Sequence, residues 1–209
     1  AGAPFAGDRD GRVDFFRGDS SPDGQTDGYI SGSVDNGFFG FAVTGIGDVD
    51  SDGRSDFAVG APATWNTYMG TGKVLIYRLE QNNQPAQIWS LSGETLGDGF
   101  GSSLAAAGDV NGDGKGDLLV GAPYYDGLDV PQQNKGRAYL YPAPFNGWTR
   151  ATWTITGVWS TDRVGHCLIG RGDLNGDGHL DLALGISASQ SNPLPRVRAY
   201  HGSHPSGVD

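Results

Sequence analysis

The residues best suited to chemistry are acidic and recur at alternate positions of a short glycine-containing segment. In residues 109–117, Asp-Val-Asn-Gly-Asp-Gly-Lys-Gly-Asp, carboxylate or amide side chains occupy positions one, three, five and nine, and glycine occupies position six. Together with the main-chain carbonyl of position seven, these groups form an oxygen-only set of ligands, which is the set that Ca²⁺ accepts in flexible loops. Glycine at position six lets the backbone turn where a Cβ atom would obstruct it.

The pattern occurs three times, at 48–56, 109–117 and 173–181, so chance is a poor explanation. The predicted side-chain ligands are Asp48, Asp50, Asp52, Asp56, Asp109, Asn111, Asp113, Asp117, Asp173, Asn175, Asp177 and Asp181. The predicted main-chain carbonyl ligands at position seven belong to Arg54, Lys115 and His179. We therefore expect three calcium sites, and we call the three segments loop 1, loop 2 and loop 3.

The EF-hand is the main alternative for an acidic calcium loop. It requires a bidentate glutamate at position twelve and a helix on each side. Position twelve here is Val59, Val120 or Leu184, and each lies in a short apolar run that favours a buried strand. The sequence therefore predicts calcium loops between strands.

The loops are part of a longer repeat. They begin at Asp48, Asp109 and Asp173, and each is preceded by a Phe-Gly or Val-Gly pair and followed by Gly-Ala-Pro or, in the last unit, Gly-Ile-Ser. Further short apolar segments follow, which gives four antiparallel strands, A to D, in about 62 residues. Repeats of this size and strand content are typical of β-propeller blades.

We therefore predict an all-β fold, a β-propeller segment of four-stranded antiparallel blades with two complete and two partial blades. The predicted blade limits are 1–32 (partial), 33–93, 94–157 and 158–209 (partial). The 36 glycines and 11 prolines suit a chain with many turns.

The ordered combination of Phe-Gly, Asp-rich loop and Gly-Ala-Pro resembles the FG-GAP repeats of integrin α-subunit propellers and related bacterial secreted proteins. The resemblance covers essentially the whole chain, and it implies a Ca²⁺ in the A–B loop of each blade and a complete ring of seven blades. The last unit departs from it, with Val164 for phenylalanine and Gly185-Ile186-Ser187 for Gly-Ala-Pro, although its metal ligands are intact.

Charge and composition limit the partners. The net charge of −10 argues against nucleic acid and anionic membranes as partners, and ten of the carboxylates belong to the three loops. No apolar run approaches the roughly 18 residues of a membrane span. Cys167 is the single cysteine, and its apolar surroundings predict a buried thiol.

A ligand-binding face is predicted opposite the metal loops. The B–C connection is the part of the repeat that varies in length, and in an up-and-down blade it shares one face with the D–A loop. The candidate ligand-binding residues there are Trp65, Tyr68, Tyr124, Tyr125, Asp126 and Trp159. Aromatic rings beside carboxylates suit a sugar or a protein loop, whereas the alternative is that these rings pack between blades.

No catalytic residues are predicted. The chain has no Gly-x-Ser-x-Gly elbow, no His-Glu-x-x-His segment and no phosphate-binding loop. Arg17-Gly18-Asp19 spells an integrin-recognition tripeptide, but so short a motif is common by chance.

The sequence thus favours a non-enzymatic, calcium-stabilised propeller that binds a protein or a glycan in cell adhesion. We expect it outside the cell or at the cell surface, and a periplasmic location also fits. The alternatives are an accessory propeller domain of a secreted hydrolase or lyase, and a structural repeat of a surface assembly. About 3.4 repeats cannot close a ring of four or more blades, so we expect missing blades or another subunit as a partner.

Overall fold

The computed structural model describes residues 1–7, 10–16, 26–32, 37–62, 70–82, 84–127, 133–145, 149–187, 195–203 and 207–208. All regular secondary structure in these ranges is β-strand. The strands are β1 (Gly2–Ala3), β2 (Arg12–Phe15), β3 (Gly28–Ser31), β4 (Ala42–Gly47), β5 (Asp56–Ala61), β6 (Lys73–Leu79), β7 (Pro85–Ser92), β8 (Ser103–Gly108), β9 (Asp117–Ala122), β10 (Arg137–Tyr141), β11 (Trp153–Thr156), β12 (Cys167–Gly172), β13 (Asp181–Ile186), β14 (Arg196–Tyr200), β15 (Gly202–Ser203) and β16 (Gly207–Val208).

The strands form consecutive antiparallel sheets in chain order. β4 to β7 form one four-stranded sheet and β8 to β11 form a second, while β1 to β3 and β12 to β14 form three-stranded sheets at either end. A two-stranded hairpin, β15 and β16, follows. The prediction of two complete and two partial blades is confirmed, with strands B to D in the first sheet and A to C in the last.

In the last three blades the second strand lies inside its sheet, and in the second and third blades it is buried on both faces. In β9, Leu118 and Val120 pack against the preceding blade, whereas Leu119 packs against the following blade. Burial on both faces explains why these strands are continuous apolar runs and do not alternate with polar residues. Alternate residues of one strand therefore seal two interfaces.

The aromatic residue of each Phe-Gly pair is inserted between blades. Phe100 is fully buried and meets Tyr139 edge-on, with ring centroids 5.4 Å apart. Phe39 is likewise buried and lies edge-on to Tyr77 at 6.1 Å. Val164 takes this place in the last blade and is also buried.

The glycine of the Phe-Gly pair lies directly on the Gly-Ala-Pro corner of the preceding blade. A Cβ atom on Gly60 would overlap the carbonyl oxygen of Gly101, so the two backbones approach closely only because residue 60 is glycine. Gly121 and Gly165 meet in the same way at the next interface. Gly101 also donates its N–H to the Gly121 carbonyl within its own blade, at 3.0 Å. The Phe-Gly pair of one blade and the Gly-Ala-Pro corner of the preceding blade therefore form one contact between blades.

The described blades form an open arc. The first strands of the last three blades, β4, β8 and β12, lie side by side, while the first and last sheets do not adjoin among the described residues. The prediction that Cys167 is buried is wrong, because its side chain is exposed on a sheet face that no neighbouring blade covers. The described residues contain no helix of the length and apolarity needed to span a membrane.

Gly60→Ala should destabilise the fold through the contact between blades. The methyl group would force the carbonyl of Gly101 to move, and we expect a loss of about 2 kcal/mol or more in the free energy of unfolding. Gly45→Ala is the matched control, because a Cβ atom there meets no other atom within 4 Å. Urea unfolding of both variants at one calcium concentration makes the comparison, and equal losses would contradict the role of the close approach.

Candidate metal centres

Each metal loop joins the first and second strands of a blade, and its first aspartate folds it. In loop 2 the two carboxylate oxygens of Asp109 accept the N–H groups of Gly112, Asp113 and Gly114 at 2.7, 3.0 and 2.8 Å. Asp48 accepts three N–H groups at 2.7 to 3.1 Å in loop 1, and Asp173 accepts three at 2.6 to 3.1 Å in loop 3. The three loops therefore share one backbone conformation that is held by their own side chains.

The aspartate at position nine is buried in every loop. Asp56, Asp117 and Asp181 are each at most 1% exposed, and each begins the central strand of its sheet. Each accepts the N–H of the second loop residue, at 2.9, 2.9 and 2.6 Å. Burial raises the pKa of both Asp56 and Asp117 to about 6. A buried carboxylate of this kind is stabilised by a positive charge beside it.

Loop 1 shows most directly that the residues fit a cation. Asp48, Asp50 and Asp56 bring carboxylate oxygens within 4.8 Å of one another. Oδ1 of Asp56 is buried and has no hydrogen-bond partner. An orphaned buried oxygen in a cluster of oxygens is the place where an ion is expected. An all-oxygen set of carboxylates suits Ca²⁺ better than it suits a softer metal.

Loops 2 and 3 carry asparagine at position three. Asn111 Nδ2 donates to Asp113 Oδ2 at 3.2 Å, and Asn175 Nδ2 donates to Asp177 Oδ2 at 2.8 Å. The amide therefore reduces the repulsion that an additional carboxylate would create.

The residues at position seven contact the loop through their backbones. The N–H groups of Arg54, Lys115 and His179 donate to the carboxylate at position five, at 2.9, 2.9 and 2.8 Å. The Arg54 side chain instead reaches the carbonyl oxygen of Glu80, at 2.9 Å. Ligation by the three main-chain carbonyls stays a prediction.

Sequence reasoning missed a second element beside each loop, namely the end of the third strand and the residues just after it. Arg78 Nη1 lies 3.2 Å from Asp50 Oδ2, the Ala143 N–H donates to Asp117 Oδ1 at 3.0 Å, and His201 Nδ1 lies 3.5 Å from Asp181 Oδ1. All three follow within two residues of the tyrosine near the end of the third strand. Their place one or two residues after Tyr77, Tyr141 and Tyr200 is the signal that would have found them.

Comparisons with known proteins agree with this architecture. A family profile described as FG-GAP repeat matches residues 100–141, and one described as FG-GAP-like repeat matches residues 48–120. The chain carries FG-GAP repeats.

Relatives of these FG-GAP blades include integrin α-subunits. Integrin alpha-PS2 of Drosophila melanogaster is 34% identical over 81% of this chain and 12% of its own length. Integrin alpha-IIb of Mus musculus is 36% identical over 71% of the chain and 14% of its own length, and integrin alpha-7 of Homo sapiens is 35% identical over 80% and 13%. The chain thus spans about one eighth of the length of these relatives.

On the face opposite the metal loops, some of the predicted ligand-binding residues are held in contacts within the protein and others are exposed. Tyr125 is buried beneath the Arg137 guanidinium, 3.8 Å from the ring centroid, and Arg137 pairs with Glu94 at 3.1 Å. Tyr124 lies beside the Arg163 guanidinium at 5.7 Å, and Asp126 accepts a hydrogen bond from the backbone of Asn134. Tyr125 is therefore packed against Arg137 of its own blade, and its part in ligand binding stays a prediction.

Trp159 is the predicted aromatic that the structure leaves accessible on this face. It is 47% exposed, and Val158 beside it and Leu96 in the preceding D–A loop are 61% and 63% exposed. Trp65 and Tyr68 lie outside the described residues, as does the Arg17-Gly18-Asp19 segment.

Buried aspartates fix the D–A loops of the FG-GAP blades. Asp98 is 3% exposed, and its carboxylate accepts the Thr95 N–H at 3.1 Å. Asp162 is also buried and accepts the N–H groups of Val158 and Trp159, each at 3.0 Å. Sequence analysis missed both, although each follows the glycine after strand D by five residues. Burial raises the pKa of Asp98 to about 6.

Asp98→Asn should change how stability depends on pH. The pKa of Asp98 is about 6 in the folded chain, against an ordinary value of 3.8, so the folded state binds the proton more tightly. Lowering the pH from 7.5 to 4.5 should therefore raise the free energy of unfolding of the parent relative to the variant, by about 2 kcal/mol. Urea unfolding at both pH values and one calcium concentration measures this difference. A difference that does not vary with pH would contradict the assignment.

Proposed function

We propose that this chain is a non-enzymatic, calcium-stabilised propeller segment that acts outside the cell or at its surface and binds a protein or a glycan. The observation that carries the calcium part of the proposal is the buried, unpartnered Oδ1 of Asp56 beside the carboxylates of Asp48 and Asp50. A buried charge without a partner is costly, and a cation removes that cost.

Calcium acts in this proposal as a structural link between strands. In each loop the side chains at positions one, three, five and nine and the carbonyl at position seven hold the ion. Position nine begins an inner strand of the sheet, and in the second and third blades the residues that follow it pack against both neighbouring blades, as Leu118 and Leu119 do. An ion in the loop therefore joins the loop to the core of the propeller and offsets the repulsion among its carboxylates.

Three considerations support a location outside the cell or a role other than catalysis. Calcium sites of modest affinity are occupied where calcium is millimolar, which is the extracellular condition. Similarity to integrin α-subunits supports the same location. The buried carboxylates outside the loops, Asp98 and Asp162, hold main-chain N–H groups of their own loops, which is a structural task.

The outer face of the last sheet supports a further blade or another subunit as a partner. Ile169 and Val197 are 60% and 74% exposed on this face, and Cys167 is exposed beside them in the strand register. In the preceding blade the corresponding face, which includes Leu119 and Leu140, is buried under the next blade. An exposed apolar sheet face of this kind is a docking surface.

For the ligand we propose the face that carries the D–A loops. Trp159, Val158 and Leu96 form exposed apolar positions there, and the buried carboxylates of Asp98 and Asp162 hold the two loops in place. An accessible indole on a fixed loop suits stacking on a sugar or insertion into a protein surface.

Calcium should raise the melting temperature, because it binds the folded loops and not the unfolded chain. Each occupied site adds about 2.7 kcal/mol when free calcium is 100 times its Kd. Differential scanning fluorimetry in chelator and in millimolar calcium measures the shift, and an unchanged melting temperature would contradict the proposal.

Asp113→Ala should reduce the number of bound calcium ions from three to two, because it removes one ligand of loop 2. Asp14→Ala is the matched control, since it removes a carboxylate that pairs with Arg12 away from the loops, and it should keep three. Isothermal titration calorimetry counts the ions. Three ions bound to Asp113→Ala would show that the ligand assignment is wrong.

Trp159→Ala should abolish capture of the ligand, because it removes the exposed indole of the proposed face. Phe16→Ala is the control, since Phe16 is a comparably exposed aromatic residue next to the first C–D connection. A glycan array and a panel of purified extracellular matrix proteins provide the ligands. Capture that survives Trp159→Ala but is lost when residues 17–19 are changed would place the binding face elsewhere.

A further inference from the structure

The three metal loops differ in charge at one position. Loop 1 has Asp50 at position three, where loops 2 and 3 have Asn111 and Asn175. Loop 1 therefore holds four carboxylates and the other two hold three. Position seven does not remove the difference between the first two loops, because it is basic in both, with Arg54 and Lys115.

A guanidinium group lies beside the additional carboxylate. Arg78 Nη1 is 3.2 Å from Asp50 Oδ2, and the Asp50 side chain is 13% exposed. Beside loop 2 the chain presents the uncharged N–H of Ala143, and beside loop 3 it presents the His201 imidazole, and both of these groups face the carboxylate at position nine. Arg78 is thus the permanent cation among these three neighbours.

The guanidinium also gives loop 1 a hydrogen-bond donor, although at position three and not at position five. Asn111 and Asn175 each donate an amide hydrogen to the carboxylate at position five, whereas the ionised Asp50 has no hydrogen to donate. Arg78 supplies a donor to loop 1 from outside, through Asp50 itself. Its second contact is weaker, since Arg78 Nη2 lies 3.9 Å from Glu80 Oε1, which is exposed.

We propose that Arg78 sets the calcium affinity of loop 1 by offsetting the additional charge of Asp50. With Arg78 counted, loop 1 presents the same net charge to an ion as the three carboxylates of loop 2. This inference rests on the proposed calcium binding and assigns to Arg78 a tuning role at that site.

Arg78 should stabilise the calcium-free loop and weaken the binding of calcium to it. Without calcium the guanidinium stabilises the loop, because it reduces the repulsion among four carboxylates. With calcium it opposes binding, because it repels the dication across a few ångströms of partly hydrated surface. Arg78 is 39% exposed, so solvent and salt screen the repulsion, and we expect about a tenfold effect on the Kd.

Four variants of the full chain test the inference, with calcium affinity measured by titration calorimetry and melting temperature measured in chelator and in calcium. Arg78→Gln should bind calcium about tenfold more tightly at one site and melt at a lower temperature in chelator. Asp50→Asn should bind about tenfold more weakly at that site. The double variant, which gives loop 1 the charges of loop 2, should return to the parent affinity. Arg78→Lys keeps the charge and should also keep the parent affinity.

Two additions make the result specific to loop 1. Arg12→Gln removes the same charge far from the loops and should change neither the affinity nor the gain in melting temperature on adding calcium. The titrations are repeated in a background of Asp113→Ala and Asp177→Ala, so that loop 1 is the remaining proposed site. If that background does not fold, the test is the gain in melting temperature on adding calcium, measured without the two loop substitutions. Arg78→Gln should enlarge this gain relative to the parent chain.

The possible results distinguish the tuning role of Arg78 from the proposed calcium binding on which it rests. Calcium binding with equal affinity in the parent and Arg78→Gln, or equal losses of stability in chelator and in calcium, would overturn the tuning role alone and leave Arg78 a structural residue. Absence of calcium binding in every protein, the parent included, would overturn the proposed function and the inference together.

Discussion

The burial of a carboxylate at the end of each metal loop is the constraint on which the structure depends. Asp56, Asp117 and Asp181 are nearly inaccessible to solvent, and each begins an inner strand of its sheet. The residues that follow Asp56 and Asp117 seal two blade interfaces. The chain therefore places negative charge at the point where the loop meets the core. Main-chain N–H groups satisfy part of each carboxylate, and in loop 1 one buried oxygen is left without a donor. In the function that we propose, a cation held by the remaining loop oxygens completes this arrangement.

The spacing of the motifs made much of the fold predictable. Antiparallel strands joined by short loops keep a fixed length, so the intervals between Phe-Gly, the acidic loop and Gly-Ala-Pro predict the strand order and the partial end sheets. The structure adds the reason for the motif. Gly60 and Gly101 touch across neighbouring blades, where a side chain would not fit, and Phe100 fills the space beside them. The place of the acidic loops between the first two strands of a blade was equally predictable, because each pattern lies within nine consecutive residues.

Features that depend on how the chain folds back on itself could not be predicted in the same way. The position of Arg78 beside Asp50 joins residues 28 apart in the chain, and the stacking of Arg137 on Tyr125 depends on how the B–C connection folds back. Cys167 was expected to be buried because its neighbours are apolar, but burial requires a blade on that face of the sheet. The exposure of Trp159 likewise follows from the buried Asp162, whose carboxylate fixes the turn that carries it.

On both faces of the arc, aspartate carboxylates fix the loops by accepting main-chain N–H groups. On one face the loop aspartates hold backbone N–H groups and gather oxygens for an ion, while on the other Asp98 and Asp162 fix the D–A loops without a cluster of charge. The metal loops on the first face have the same length in each blade, whereas the B–C connections on the second face differ in length between blades. The constant face therefore suits a structural ion, and the variable face suits recognition.

The most direct test of this account is an anomalous difference map from crystals grown in millimolar calcium. We predict one peak in each of the three loops, with ligand oxygens about 2.3 to 2.6 Å away, and the buried Oδ1 of Asp56 as a ligand in loop 1. A well-ordered structure with no peak in any loop, and with Asp56 Oδ1 bound to water or to a protein donor, would contradict the central claim that calcium completes the loops.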